Sequence, residues 1–519
     1  MDTKALRQKI LDLAIRGKLV PQDPNDEPAE VLLERIREQK QQMFKEGKLK
    51  KKDIKNDTII FKGEDNLHYE KFADGTVKCM EDEIPFEVPE GWAWCKLNDI
   101  YNFIDYRGAT PTKITNGIPL VTAKNVKSGY IDYTIDDYIS EEEFKERQQR
   151  GISKKGDILF TTEAPLGNAA LADMEKFSAG QRLITFQQYG SKNELINYVM
   201  LMFILSDFFQ QQLYVNKTGS TVAGIKAAIL KTLWIPVPPY NEQLRISNTL
   251  KSAINLIDSI SKNKEILSTS ISNTKSKILD LAIRGKIVPQ DPNDEPASVL
   301  LERIRAEKEE LIKQGKIKRD KKESVIFKGD DNSYYEKIGN KVNCIDEEIP
   351  FELSEGWAFI RLKTAWELIS GRDLSPSEYN DKNDGIPYIT GASNFRNGHI
   401  SLVRWTTVPQ VITRRGDLLL TCKGTIGEIA HNNFGEAHIA RQIMAIRNIY
   451  SLNVDFLALC IEYSMTKIKQ AAKGLIPGIS REDILNLVIP IPPTKEQENI
   501  CNKLKATFSA IEHIENSLN

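Results

Sequence analysis

The sequence carries two sets of polar side chains of the types that bind DNA, in loops between apolar strands. Lysine and arginine contact phosphates, whereas amide, hydroxyl and guanidinium groups read base edges. The first set is Lys124, Asn125, Thr161, Thr162, Gln181, Arg182, Lys217, Ser220 and Thr221. The second set is Ser393, Asn394, Lys423, Thr425, Arg441, Gln442, Lys473, Ser480 and Arg481. For any one of them, turn capping or surface polarity explains the residue as well as DNA contact does. As sets on equivalent loops they favour DNA recognition.

Catalytic motifs are absent from the sequence, so we predict no catalytic and no metal-binding residues. There is no GxxxxGK[ST] phosphate loop, no HExxH, and the five histidines are isolated. The Val-Pro-Pro-Tyr segment at 237–240 resembles the Asn-Pro-Pro-Tyr loop of adenine methyltransferases, but it lacks the asparagine. The matching segment at 491–494 also lacks the tyrosine. Because a double proline cannot continue a sheet, we interpret both segments as strand exits.

An internal repeat organises the whole chain. Residues 10–40 and 278–308 differ at four positions only, 19, 30, 38 and 39 of the first copy. In each copy a helix ends at Gly17 or Gly285, in the usual place for a C-terminal cap, and a second helix begins at Pro28 or Pro296. Near-identity at a spacing of 268 residues indicates a duplicated unit.

Each copy continues into a domain that shares only scaffold motifs with the other. The motifs are IPFEVPEGWAW at 84–94 and IPFELSEGWAF at 349–359, then the GIP and GD strands, and finally a proline-rich exit. The intervening segments differ. This pattern predicts one framework that presents two different surfaces.

A basic, charged extension follows each repeated block, at 40–83 and at 308–348. Its lysine-rich tail, FKEGKLKKKDIK in the first copy, favours a solvated linker, and a phosphate or partner contact is the alternative. The sequence leaves the role of these extensions open.

A long apolar seam runs from Tyr240 to Lys286, with spacings of four and three that favour a coiled coil. When the two copies of the repeat are aligned, the C-terminal helix matches the first half of this seam and the N-terminal helix matches the second half. The pattern therefore predicts two equivalent units in a ring, related by a pseudo-two-fold axis and connected by two antiparallel helical rods. One rod is the continuous central helix, and the N-terminal and C-terminal helices together form the other. The predicted coil residues are Ile246, Leu250, Ile257, Ile260, Leu267, Ile271, Ile278 and Leu281, with Leu6, Ile10, Leu13, Ile500, Leu504, Ile511 and Ile514.

Bulk properties limit the class of protein. The chain has 519 residues, 40% hydrophobic and 28% charged, with a net charge of −1, so any attraction to DNA must come from local patches. The N-terminus reads as an amphipathic helix, and the longest apolar run is too short for a bilayer. Six cysteines without a CxxC pair fit a reducing, cytoplasmic location, and no membrane contact is expected.

The LDLAIRGKLVPQDPNDEPA block, the EGW strand and the IPxPPxxEQ exit together resemble the specificity subunit of type I restriction–modification systems, along essentially the whole chain. The resemblance implies an α+β fold: two mixed α/β target recognition domains separated by long antiparallel coiled-coil helices. The expected segments are 1–20, N-terminal helix; 21–83, helix plus extension; 84–240, first recognition domain; 241–286, central helix; 287–348, repeat helix plus extension; 349–494, second recognition domain; and 495–519, C-terminal helix.

The resemblance also implies a function in double-stranded DNA recognition, without catalysis by this chain. Each domain would read half of an asymmetric bipartite target. Two modification (methyltransferase) subunits would bind the conserved helices and the blocks at 19–34 and 287–302, and restriction (translocase) subunits would join them. No cofactor is expected here; S-adenosylmethionine, ATP and Mg²⁺ would belong to those partners. The alternatives are a coiled-coil protein scaffold and a self-sufficient methyltransferase or nuclease, the last disfavoured by its missing motifs.

Overall fold

The computed structural model describes the chain except for residues 1, 55–56, 73, 108–109, 135, 191–193, 220–222, 318, 320–322, 397, 451, 472–477 and 519. It divides into two compact units, Met1–Lys264 and Glu265–Asn519. Among the described residues, no helix is both long and apolar enough to cross a membrane.

The first unit mixes helices with short strands. Its helices are α1 (Thr3–Ile15), α2 (Ala29–Lys45), α3 (Lys51–Ile54), α4 (Leu97–Ile100), α5 (Glu141–Arg147), α6 (Asn197–Ile204), α7 (Asp207–Val215) and α8 (Ala227–Leu230). Its strands are β1 (Ile59–Lys62), β2 (His68–Lys71), β3 (Val77–Cys79), β4 (Ala93–Lys96), β5 (Tyr101–Asp105), β6 (Ile118–Val121), β7 (Tyr138–Ile139), β8 (Ile158–Thr161), β9 (Ala169–Leu171), β10 (Ser178–Ala179), β11 (Leu183–Gln188) and β12 (Trp234–Val237). Helix α9 (Tyr240–Ile283) begins in this unit and ends in the next.

The second unit follows a similar order, with additional short strands where the first unit has α5. Its further helices are α10 (Ala297–Lys313), α11 (Leu362–Ala365), α12 (Val454–Ala471), α13 (Arg481–Leu485) and α14 (Thr494–Leu518). Its strands are β13 (Ser324–Lys328), β14 (Tyr334–Ile338), β15 (Lys341–Cys344), β16 (Ala358–Arg361), β17 (Trp366–Ser370), β18 (Ile386–Ile389), β19 (Phe395–Arg396), β20 (His399–Ile400), β21 (Trp405–Thr406), β22 (Ile412–Thr413), β23 (Leu418–Thr421), β24 (Ile429–His431), β25 (Ala437–Ile439), β26 (Ile443–Asn448) and β27 (Val488–Ile491).

The sheets of the two units correspond. The order β5-β11-β8-β9 in the first unit is matched by β17-β26-β23-β24 in the second, with the same antiparallel pairings. The first strand of each recognition domain pairs with its last strand, β4 with β12 and β16 with β27. The predicted shared framework is therefore confirmed at the level of strand pairing.

A buried junction joins three of the repeated motifs in the first unit. The indole Nε1 of Trp92 donates to Glu242 Oε2 at 2.9 Å, and Gly17 lies against the ring of Trp92. Gly17 has φ +65°, so the predicted helix cap is confirmed, as it is for Gly285 with φ +69°. In the second unit Trp357 donates to Glu496 at 3.0 Å, the same contact between equivalent motifs. Burial raises the pKa of both carboxyl groups.

The charged extensions fold onto their units rather than forming solvated linkers. Strands β1-β2-β3 form an antiparallel meander, and β13-β14-β15 form its counterpart. The buried Lys40 Nζ contacts Asp57 at 2.6 Å and donates to the carbonyl of Asn98 at 3.0 Å, while Leu49 within the lysine-rich tail is buried. The linker interpretation of that tail is wrong for the first unit. Buried Leu49 anchors the tail, while the neighbouring Lys48 and Lys50 remain exposed to solvent.

The long helix α9 begins at Tyr240, just after the double proline, as the sequence predicts. Coil residues that are buried are Ile246, Leu250, Ile257, Ile271, Ile500 and Leu504; those half-buried are Leu6, Ile10, Leu13, Ile260, Ile278, Leu281 and Ile511. Leu267 and Ile514 are exposed, so the apolar seam is interrupted at these two positions. Ile254, which is not among the predicted coil residues, is also buried.

Ion pairs accompany the seam inside each unit. Arg7 of α1 pairs with Asp258 of α9. Lys275, the repeat counterpart of Arg7, lies 2.6 Å from Glu515 of α14. Each terminal helix therefore contacts the part of α9 that belongs to its own unit.

Candidate nucleic-acid interface

Backbone hydrogen bonds hold three loops together in the first unit. The loops lie where the central strand β8 ends and the central strand β11 begins, and we call this end of the four-stranded sheet its edge. The amide of Thr162, just after β8, donates to the carbonyl of Arg182 at 3.0 Å, which fixes the loop before β11. The amide of Ile225 donates to the carbonyl of Thr162 at 3.0 Å, which brings in the loop after α7. These contacts use main-chain atoms only, so they hold the loops whichever side chains the loops carry.

The second unit builds the same edge with the same bonds. The amide of Cys422 donates to the carbonyl of Gln442, and the amide of Ile479 donates to the carbonyl of Cys422, each at 2.8 Å. Bridges between Glu163 and Gly224, and between Lys423 and Gly478, complete the correspondence. The backbone frame of the site is thus repeated.

In the first unit these loops enclose an open cleft of about 470 Å³. Its lining is Arg107, Thr162, Glu163, Gln181, Arg182, Thr218, Gly219, Gly224, Ile225 and Lys226. Arg182, with a half-exposed side chain, lies 3.1 Å from Glu163, and Gln181 accepts a hydrogen bond from Thr110 at 2.9 Å. The cleft therefore offers guanidinium and amide donors beside amide and carboxylate acceptors, the groups that base edges pair with.

Arg107, which the sequence analysis missed, is anchored at the wall of this cleft. Its guanidinium lies 2.6 Å from Asp105, and this hydrogen bond raises the pKa of Arg107. Burial favours the neutral form of Asp105, but the hydrogen bonds from Arg107 outweigh burial and hold the pKa of Asp105 below its ordinary value. The repeat could have found this residue, because Arg372 follows β17 at the equivalent position.

The equivalent edge of the second unit carries more positive charge. Arg441 has 68% of its side chain exposed and lies 2.7 Å from Asp373. Arg481 donates to the hydroxyl of Ser370 at 3.3 Å, and Lys423 and Thr425 are exposed. Asp373 also accepts from the amide of Arg441 at 3.0 Å, which orients the loop before β26.

Three pairs of equivalent positions differ in charge between the two edges. Glu163 corresponds to Lys423, Gln181 to Arg441 and Arg182 to Gln442. Together the three positions carry no net charge in the first unit and two positive charges in the second. The same frame thus presents two different patterns of donors, acceptors and charge.

Four predicted contact residues are turned into the framework instead. Thr161 is fully buried and bonds the backbone of Asn168, and the Thr162 hydroxyl donates to the carbonyl of Arg182 at 3.1 Å. Asn125 is 3% exposed; it accepts from Thr122 at 2.9 Å and donates to the carbonyl of Asp132 at 2.9 Å. Asn394 repeats this arrangement with Thr390 and Ser401. We therefore remove these four residues from the interface.

The remaining predicted residues fall into three groups. Lys124, Ser393 and Gln442 are exposed, and Lys217 lies 4.0 Å from the ring of Tyr214. Ser480 caps α13 by accepting from the amide of Asp483 at 3.2 Å. Ser220, Thr221 and Lys473 lie outside the described residues.

Comparisons with known proteins show the family of this chain. A family model described as the type I restriction modification DNA specificity domain matches residues 89–268 and 354–519. The type I restriction enzyme EcoAI specificity subunit of Escherichia coli is 27% identical, over 97% of this chain and 90% of that protein. The EcoEI specificity subunit of Escherichia coli is 26% identical, over 99% of this chain and 90% of that protein.

One solved structure supports the fold. It was reported in work on complex assembly and conformational transition of the type I R-M system, and it aligns with a TM-score of 0.57. The alignment covers 84% of this chain and 94% of that chain at 19% sequence identity.

Proposed function

This chain belongs to the family of type I restriction–modification DNA specificity proteins, and from that membership we propose that it reads an asymmetric, bipartite DNA target with two unlike surfaces, one in each unit. The cleft of the first unit reads one half of the target, and the equivalent edge of the second unit reads the other half. A spacer that neither cleft reads separates the halves.

The observation that carries this proposal is the repeated backbone frame with exchanged side chains. If both units read the same bases, the side chains at equivalent positions would be alike. Glu163 and Lys423 instead have opposite charges, and the arginine moves from position 182 in the first unit to 441 in the second. A bidentate arginine–guanine contact depends on where the guanidinium sits, so this shift predicts two different half-sites.

The partners we propose follow from the repeated blocks outside the clefts. Segments 19–34 and 287–302 are nearly identical and mostly exposed. Two equal surfaces suit two copies of one modification subunit, which would carry S-adenosylmethionine and methylate adenine. Restriction subunits with ATP and Mg²⁺ would complete the assembly, so that methylation, translocation and cleavage take place on partner chains and target choice on this one.

A domain exchange tests the proposal. Residues 84–240 would be replaced by the corresponding recognition domain of a relative with a different target, and the variant combined with the modification subunit. Sequencing of methylated DNA should show one half of the target changed and the other half unchanged. A change in both halves, or in neither, would contradict the assignment of one half-site to each unit.

A further inference from the structure

Each folded extension presents a solvent-facing sheet surface, which we call the outer face. In the first unit its residues are Ile59 and Phe61 of β1, Tyr69 and Lys71 of β2, and Val77 and Cys79 of β3. Side chains directly opposite each other in an antiparallel pair lie on the same side of the sheet, which places all six together. Phe61 and Tyr69 stack with their ring centroids 5.8 Å apart.

The outer face of the second unit has almost the same composition. It consists of Val325 and Phe327, Tyr335 and Lys337, and Val342 and Cys344. Phe327 and Tyr335 stack at 5.9 Å, as their counterparts do. Five of the six positions are identical and the sixth exchanges isoleucine for valine.

The inward sides of the same strands differ more than the outer faces do. His68, which is buried, is matched by Tyr334, and Lys78 is matched by Asn343. Packing has therefore tolerated a change at one buried position, although Ile60, Lys62 and Glu70 have identical counterparts in the second unit. The exposed side has stayed the same, although Val77 is 52% exposed and Val342 is 51% exposed.

Buried ion pairs hold each sheet in a fixed place on its unit. Lys96 contacts Glu70 of β2 at 2.5 Å in the first unit, and Arg361 contacts Glu336 of β14 at 2.7 Å in the second. Lys40–Asp57 is likewise matched by Lys308–Glu323 at 3.1 Å. These ion pairs fix both sheets on their units, with Lys71, Val77 and Cys79 exposed on the first outer face and Lys337, Val342 and Cys344 exposed on the second.

We propose that the two outer faces dock two copies of one protein partner, the methyltransferase subunit of the proposed complex. This inference rests on the proposed function. Two equal faces in a chain whose clefts differ call for one ligand bound twice. Each face offers one lysine among five apolar, aromatic or thiol side chains, so it suits a protein interface, whose core is rich in aromatic residues, better than a phosphate backbone.

Charge reversal on each face tests the proposal by stoichiometry. The first variant combines Lys71→Glu with Val77→Glu, the second combines Lys337→Glu with Val342→Glu, and a third carries all four changes. Native mass spectrometry of the full chain with the purified methyltransferase subunit should show two bound copies for the unchanged protein, one for each double variant and none for the fourfold variant.

A matched control lies on the same strand. Lys78→Asn gives the inward side of β3 the residue that the second unit already has, so it should leave two copies bound. Circular dichroism and thermal unfolding of every variant establish that the chain is folded. Folded variants that still bind two copies with unchanged affinity would overturn the proposal.

The cysteines provide a second, independent readout. Cys79 and Cys344 are exposed on the outer faces, whereas Cys95, Cys422, Cys460 and Cys501 are buried. Maleimide labelling of the native chain should therefore modify two thiols, and the methyltransferase subunit should protect both. Protection by duplex DNA alone, or by self-association of this chain, would assign the faces to those ligands and overturn the proposal. The proposed function is measured separately, by the methylated sequence, so failure of the docking proposal is distinguishable from failure of the proposed function.

Discussion

At the scale of single residues, a pair of equivalent aspartates shows that the two units close the same turn with differently charged partners. Asp157 and Asp417 each accept a backbone hydrogen bond at 2.8 Å from the residue three positions earlier, which closes the turn before β8 or β23. Asp417 also pairs with Arg447 at 2.9 Å, whereas Asp157 has the amide of Gln187 in the equivalent place. Burial raises the pKa of Asp157 to about 6, because the hydrogen bonds from Lys154 and Gln187 and the charge of Lys154 offset it only in part.

This difference predicts a pH dependence that one substitution removes. The pKa of Asp157 rises on folding from 3.8 to about 6, so the folded state holds a proton that the unfolded state has lost between these values. The free energy of unfolding contributed by this group therefore falls as pH rises from about 4 to about 6, by an amount on the order of 2 kcal/mol. The free energy of unfolding of Asp157→Asn, measured with urea, should lack this contribution to the decline.

The matched variant is Asp417→Asn in the second unit. It should lower stability at neutral pH, because it removes the closer ion pair of the half-buried Arg447 and leaves only Glu367, at 4.0 Å. An Asp157→Asn protein whose stability declines from pH 4 to pH 6 as steeply as the unchanged protein would contradict the assignment.

Substitutions of Arg182 and Arg441 should affect opposite halves of the target. Arg182→Ala should weaken binding of the partner complex to its duplex by about 1–3 kcal/mol and relax base preference in the first half only. Arg441→Ala should do the same for the second half. Fluorescence anisotropy with duplexes altered in one half at a time measures both effects.

Arg303→Ala is the control for these variants. Arg303 of α10 is exposed, pairs with Glu295 at 2.7 Å, and is not one of the proposed DNA-contact residues. If Arg182→Ala relaxed both halves equally, its role would be general phosphate binding and not base reading. The slope of affinity against salt would then fall by about 0.9 for each phosphate that the variant no longer neutralises.

At the scale of elements, the junction of Gly17, Trp92 and Glu242 explains why these motifs recur together. They connect the end of α1, the start of the recognition domain and the start of α9. A side chain at Gly17 would meet Pro89 Cδ at 2.7 Å and Trp92 Cζ2 at 3.1 Å. The glycine is thus needed both for its left-handed backbone and for the space it leaves.

Gly17→Ala should therefore destabilise the protein more than backbone strain alone does. The strain of a left-handed alanine is about 1–2 kcal/mol, and crowding of a packed site adds about 1–3 kcal/mol. Gly47→Ala separates the two effects, because Gly47 has φ +74° with no atom within 4 Å of the added carbon. Equal losses of stability in thermal unfolding would mean that the contact with Trp92 contributes nothing.

Helix α9 carries the prediction about target spacing. Seven residues inserted between Ser261 and Ser270, a largely exposed stretch, add about 10.5 Å of helix and keep the same face aligned within about 20°. The methylated target should keep both half-sites and change the number of bases between them. Substitutions without a length change, such as Ser268→Ala, should leave the target as it is. A change in the half-site bases would show that α9 does not act as the spacer.

At the scale of the whole molecule, the repeat was the most informative property of the sequence. Near-identical blocks and matched motifs predicted two equivalent units, the strand framework and the start of α9. The sequence did not predict the meanders, because short strands with many lysines read as linkers until Lys40, Leu49 and Asp57 are seen packed into the fold.

The candidate site was predicted in part for a physical reason. Sequence gives the residue type at a loop position, but hydrogen bonding within the loop decides which way the side chain turns. Arg182 and Arg441 extend outward, whereas Asn125 and Asn394 turn inward to hold their own loops. Spacing between motifs carries no information on that choice.

The backbone bonds that hold the clefts have an evolutionary consequence. Because main-chain atoms fix the loops, mutations at the proposed reading positions, such as 163, 181 and 182, would change the target and leave the backbone frame in place. Selection for a new target therefore meets little resistance from stability. Duplication then doubles the options, since each unit can drift in its reading residues while the other keeps its half of the target. A lineage carrying this architecture would then renew its specificity one half-site at a time.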